Sequence, residues 1–184
     1  HRDEEDGMSQ EPTPVNELDE ARLMQTRTRY RMSLGPLEHV SGDLGGLLGE
    51  QVMQILGMFY PRNFAKKANV VVTELVTNVF ENVFDPKSTF DLEIDAGPSG
   101  LVIAVKNRVS PEQYEKVKSR IDTIRTTPDL RALLASTIRE RRAERLKGGL
   151  GLMRLAQENK FDLAIAYEDG AMTVTATYTT GVEA

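Results

Sequence analysis

Three short stretches carry residue types that can do chemistry. In TELVTN, residues 73–78, the carboxylate of Glu74 and the carboxamide of Asn78 stand four positions apart, and Asn82 follows at the same step. On a helix that spacing stacks the three side chains in one row. Leu75, Val76, Val79 and Phe80 lie beside it, and a polar row bordered by that much apolar surface asks for a partner. The second stretch, KGGLGLMRLA at residues 147–156, sets Gly148, Gly149 and Gly151 behind Lys147. A glycine cluster ahead of a helix is either a cradle whose backbone amides approach phosphate oxygens or a turn that ends one helix and starts another. The third, RERRAER at residues 139–145, reads as a solvated helix face held by i,i+4 pairs. Taken singly, each stretch has the plainer reading as its default.

The rest of the composition removes whole classes of function. The chain has no cysteine, and its two histidines are His1 and His39, which excludes disulfides, thiolate metal sites and a histidine-rich zinc centre. A net charge of -5 argues against nucleic-acid binding, since neutralising many phosphates needs a basic face, while a local basic patch can still serve a nucleotide. No apolar run approaches the roughly 18 to 20 residues that span a bilayer, and no signal pattern opens the chain, so neither a membrane partner nor export is expected and the default address is the cytoplasm.

A length of 184 residues with 40% hydrophobic content suits one well-cored domain. Residues 1–26 combine acidic charge with proline and few large apolar groups, the pattern of a mobile tail; Met8 is a candidate start, and whether residues 1–7 are native stays open. The single domain is placed at 27–180, with a short tail at 181–184. RYRMSL alternates at the strand period. Ser41 is the expected cap of a helix whose apolar face is Leu44, Leu47, Leu48, Val52, Ile55, Leu56 and Phe59, with Gly45, Gly46 and Gly49 weakening its start. NVVVTELVTNVFENVF is β-branched enough for a strand, but from Phe64 to Phe84 no glycine or proline intervenes, so length favours a helix that buries Ala68, Val72, Leu75, Val79 and Val83. FDLEIDAGPSGLVIAVKN and FDLAIAYEDGAMTVTATYT read as hairpins turning at residues 97–100 and 169–170. Ser110-Pro111-Glu112-Gln113 spells a capping box that opens a helix with Tyr114, Val117, Ile121 and Ile124 inward. Thr127-Pro128 starts another, carrying Leu130, Leu133, Leu134 and Ile138. Strands grouped as hairpins favour an α+β fold: a two-layer sandwich of a mixed, mainly antiparallel sheet with helices on one face.

In that order of elements, TELVTN resembles the N-box of the GHKL, or histidine-kinase-like, ATPase superfamily, and KGGLGL resembles its second glycine box. Within the superfamily the chain is most similar to anti-sigma-factor-type serine kinases and, more closely, to SiaB-like protein kinases. That resemblance runs from about Arg29 to Tyr178 and includes KNRVSPEQ after the first hairpin. It implies a Bergerat-type domain that binds ATP with Mg2+ and phosphorylates a serine or threonine on a small STAS-like partner of the anti-anti-sigma type. Carried onto this sequence, it makes Glu74 the general base and Asn78 the Mg2+ ligand and nucleotide contact. It gives Asn107 the adenine contact, and Gly148, Gly149, Leu150 and Gly151 the phosphate loop. Lys147 would add lid countercharge with Arg145, Arg142 or Arg141. Nothing catalytic is carried onto Asn82. Whether two copies form a homodimer is left open.

One part of the superfamily pattern is missing. The DxGxG box should follow the strand LVIAV, and here the chain reads Lys106-Asn107-Arg108-Val109-Ser110. An amide oxygen at Asn107 can accept the adenine amino proton without charge assistance, but Val109 brings a Cβ where close backbone approach is expected. The competing reading is therefore a non-catalytic module that keeps the scaffold and sequesters a regulatory protein.

Overall fold

The computed structural model describes residues 25–143 and 150–181. Strand β1 (Thr28–Leu34), the hairpin β2 (Phe90–Gly97) and β3 (Gly100–Arg108), and the hairpin β4 (Asp162–Glu168) and β5 (Ala171–Thr179) form one sheet in the order β1-β2-β3-β5-β4. All four pairings are antiparallel, so the expected mixed or antiparallel sheet is antiparallel among the described strands. Alternation assigns its faces: Phe90, Leu92, Ile94, Leu101, Ile103, Val105, Val174 and Ala176 are buried on one side. The other side carries exposed ion pairs, Arg29 with Asp95 at 3.0 Å and Arg31 with Glu93 at 3.5 Å, which add little to stability at such exposure.

Helix α1 (Leu44–Leu56) packs against α2 (Arg62–Glu81), and α2 lies on β3. Glycine decides the α1–α2 contact. A Cβ at Gly45 would sit 2.8 Å from the Thr73 carbonyl oxygen, and one at Gly49 would sit 2.9 Å from that of Asn69. The glycines read as weakening the helix start are therefore the seam that lets two backbones approach. Because the seam faces α2, the expected apolar stripe is partly displaced: Leu48, Val52 and Leu56 are buried, whereas Leu47 is 59% exposed and Ile55 and Phe59 also reach solvent. The cap is Asp43, whose Oδ1 accepts from the Gly46 N–H at 2.9 Å, and not Ser41, because Gly42 turns the chain at φ +83 just before it.

Helix α2 buries Ala65, Ala68, Val71, Val72, Leu75, Val76 and Val79, each fully withdrawn side chain being worth up to about 1.5 to 3 kcal/mol for Val or Leu. It ends at Glu81, earlier than Phe84, so Val83 lies past the last turn and is 36% exposed instead of buried. Helix α3 (Pro111–Thr126) opens on the expected box: Ser110 Oγ accepts from Gln113 N–H at 3.1 Å, and Gln113 Oε1 accepts from Ser110 N–H at 3.0 Å. Ile121 and Ile124 are buried, and the half-buried Tyr114 stacks on Tyr167 of β4 at 4.6 Å. Helix α4 (Leu130–Ala143) starts after Asp129, whose Oδ1 accepts from the Ala132 N–H; of its four expected inward residues only Leu134 is buried. Helix α5 (Gly151–Gln157) fits between α2, α3, α4 and β4 and buries Leu152 and Leu155. Among the described residues no helix is long and apolar enough to cross a membrane.

Candidate functional site

Between α2, the ends of β3 and β5, α3 and the start of α5 lies a cavity of about 660 Å³, within the roughly 300 to 1,000 Å³ usual for small-molecule sites. The sheet supplies its floor. Val105 and Asn107 of β3 pair with Val174 and Met172 of β5, and all four line the space. Helix α2 forms one wall with Glu74, Leu75, Asn78 and Val79, and Asn82 extends it from the helix's C-cap; Gly151 and Leu152 of α5 and Val117 of α3 complete the lining.

Of the row predicted on one helix, Glu74 and Asn78 stand on α2 and Asn82 follows as its C-cap, outside helical geometry, and all three are linked by hydrogen bonds. Asn78 Nδ2 donates to Glu74 Oε1 at 3.3 Å, and Asn82 Nδ2 donates to the Asn78 carbonyl oxygen at 3.1 Å. The first bond anchors the nitrogen end of the Asn78 amide to the carboxylate, which leaves the oxygen end as the hard donor for a cation. Glu74 is half-buried. Burial pushes its carboxyl above the usual carboxylate range, Asn78 pulls against that shift, Glu81 adds to it and Arg154 opposes it. Gly151 is the other half of this contact, since a Cβ there would collide with the Glu74 carboxylate. TELVTN and the described end of KGGLGL therefore meet at Glu74 and Gly151.

Asn107, the second-to-last residue of β3, is 6% exposed and is the buried polar residue among those described. Its Nδ2 donates to the Arg108 carbonyl oxygen at 3.3 Å. Val109, where the superfamily pattern has glycine, is buried and lines the cavity, and its N–H is already given to the Gly170 carbonyl oxygen at 3.2 Å.

Lys116, Arg120 and Arg141 bring positive charge to the lining. Of the arginines expected to supply lid countercharge, Arg141 lines the cavity, whereas Arg142 is exposed and does not. Arg145, Lys147, Gly148 and Gly149 lie outside the described residues, and Leu150 stands next to Gly151 as the N-cap of α5. Sequence reasoning missed Lys116, Arg120 and Gln113. The i,i+4 step from Lys116 to Arg120, beside the inward Val117 and Ile121, was the available signal, but it looks the same as an ordinary solvated face. Gln113, already committed to the cap, also donates through Nε2 to the Asn82 carbonyl oxygen at 3.1 Å and so ties α3 to the end of α2.

The donor set fits a magnesium nucleotide. An apolar slot with one buried amide suits a base, three cations suit a polyphosphate, and one carboxamide oxygen suits a magnesium ion, which takes one or two protein ligands and fills its shell with phosphate and water.

No protein-family model matches the chain, and no curated protein does. Among solved structures it is similar to a chain in the crystal structure of the SiaB–SiaC complex from Pseudomonas aeruginosa, with a TM-score of 0.62 and 18% sequence identity over 88% of this chain and 95% of that one. At that identity the likeness concerns the fold.

Proposed function

We propose that the chain is a SiaB-like, GHKL-type serine/threonine protein kinase of the cytoplasm that takes MgATP in the α2–β3–α3 cleft and phosphorylates a small STAS-like protein. The observation that carries this reading is the convergence of Glu74, Asn78, Asn107 and Gly151, drawn from three elements, on one cavity of suitable size. The similar solved chain belongs to a two-protein complex, which supports a protein partner.

In this mechanism the partner's hydroxyl oxygen bonds to the terminal phosphorus of ATP, the bond to the bridging oxygen breaks, its electron pair leaves with ADP, and the hydroxyl proton passes to Glu74. Burial raises the proton affinity of Glu74 and so brings it closer to what a general base needs at neutral pH. Asn78 would hold Mg2+, which when bound neutralises phosphate charge. Lys116, Arg120 and Arg141 offset the remaining charge of the triphosphate, and such positioning and electrostatics make up most of the catalysis of phosphoryl transfer.

A second reading, the non-catalytic module, is favoured by Val109: its N–H is spent on Gly170 and its side chain occupies the cavity wall. Thermal unfolding separates the two. MgATP at about 100 times its dissociation constant adds about 2.7 kcal/mol, or roughly 5–10 °C for a chain of this size. Glu74→Gln should keep that shift and lose phosphate transfer to a STAS-like protein encoded beside the chain's gene. Absence of any shift, with partner binding intact, rejects the kinase in favour of the module.

A further inference from the structure

We propose that the groove between α3, α4 and α5 receives an acidic acceptor segment of the protein substrate, its carboxylates meeting Arg120 and Arg141 while its hydroxyl enters the main cavity beside Glu74. This rests on the kinase reading above and goes beyond it in naming the sequence chemistry of the substrate.

The groove has a volume of about 190 Å³ and brings together two arginines, Arg120 and Arg141, and three hydroxyls, those of Ser119, Thr123 and Thr137, with apolar cover that includes Leu152. Among the described residues no carboxylate lines it. It is smaller than the roughly 300 Å³ at which small-molecule sites begin, and so suits a few side chains of a larger partner. Arg120, Arg141 and Leu152 also line the main cavity, so the two spaces join at the arginines. Leu152 directly follows Gly151, which faces the Glu74 carboxylate. A side chain reaching through this junction arrives at the proposed base.

Charge selects the occupant. With no described residue does either guanidinium form an ion pair or hydrogen bond. Each carries five N–H donors in a fixed fork, enough to face the triphosphate on one side and a carboxylate on the other. Asp122, beside Thr123, is engaged by Lys118 at 2.6 Å. Thr123 and Thr137 spend their hydroxyl hydrogens on the Ser119 and Leu133 carbonyl oxygens, at 2.9 and 2.8 Å, which leaves their oxygens as acceptors for backbone N–H groups of an extended segment. The chain as a whole carries a net charge of -5, so its overall field opposes an acidic segment, and attraction of one has to come from a local cluster such as this.

Fluorescence anisotropy with short labelled peptides tests this on the full chain: a central serine flanked by glutamates, and the same peptide flanked by lysines. The glutamate version should bind about tenfold tighter or better, lose that advantage in high salt, and be the one phosphorylated from MgATP. Ser119→Glu, which sets a carboxylate in the groove from an exposed helix position, should weaken its binding by about tenfold. Gln51→Glu, the same change of charge at an exposed position on α1, should leave it within about twofold. Equal or weaker binding of the glutamate peptide, no binding of either, equally fast phosphorylation of both, or equal losses in the two substituted chains overturns the inference. The melting shift of the unaltered chain with MgATP is read separately. Its presence leaves the nucleotide site standing whatever the peptides do, and its absence removes the kinase reading and this inference with it. The peptide ranking in the unaltered chain decides the matter even if a substituted chain does not fold.

Discussion

Replacing Gly151 with alanine should disable chemistry while leaving the fold nearly untouched. The added Cβ would land on the Glu74 carboxylate, the far end of a flexible side chain that can swing away without moving any backbone. Gly151 opens α5 with ordinary backbone geometry, so alanine there carries a small helix-propensity gain that offsets the lost contact. The net change in unfolding free energy should stay within about 1 kcal/mol. The displaced carboxylate, however, loses the 3.3 Å bond from Asn78 and moves by an ångström or more. A misplacement of about 1 Å costs on the order of 10²-fold in rate, and losing a general base altogether costs about 10²- to 10⁴-fold. Gly49→Ala is the matched control. Its Cβ meets the Asn69 carbonyl oxygen at 2.9 Å, a backbone atom that cannot swing aside, so overpacking of about 1–3 kcal/mol outweighs the propensity gain. The midpoint should fall by roughly 2–8 °C. Thermal melts, urea melts and phosphate-transfer assays on both variants read the contrast. Transfer by Gly151→Ala within threefold of the unaltered chain, or a loss of stability as large as that of Gly49→Ala, would refute the idea that the glycine exists to seat the carboxylate.

Two further outcomes follow from the same site. The proton affinity of Glu74 is raised in the folded chain, chiefly by burial, so its favourable contribution is fully present below the unfolded carboxylate range and is lost as pH rises through the folded value. Glu74→Gln should therefore stabilise the chain at neutral pH and make little difference near pH 3; equal effects at both, measured by urea melts, would contradict the shift. Arg120→Ala should weaken MgATP binding by about tenfold and flatten its dependence on salt, with the melting temperature of the free chain unchanged, as expected for an exposed side chain that lines the cavity; titration at two ionic strengths reads both effects.

Local signals were legible in the sequence where one element alone settles the outcome. Both hairpins, the Ser110–Gln113 box and the Glu74–Asn78 row follow from alternation, turn chemistry or helical spacing, and they stand where those rules put them. What depends on a neighbour was not legible. Gly45 and Gly49 look like helix weaknesses until α2 is packed against them, and that packing rotates α1 enough to leave Leu47 outside. Lys116 and Arg120 became lining residues only because Ile121 and Ile124 dock α3 beside the sheet, turning one edge of the helix toward the cleft. The contact of Gly151 with Glu74 joins two chain segments that no local rule connects.

The order of the strands also sets a timetable for synthesis. Asn107 and Val105 emerge from the ribosome well before Met172 and Val174, their neighbours across the β3–β5 ladder. Until the final hairpin inserts beside β3, a nascent chain has half a floor and an open strand edge where the cleft will be. A product cut short before residue 171 therefore lacks one side of the cavity floor, which is completed only when the last strand is in place.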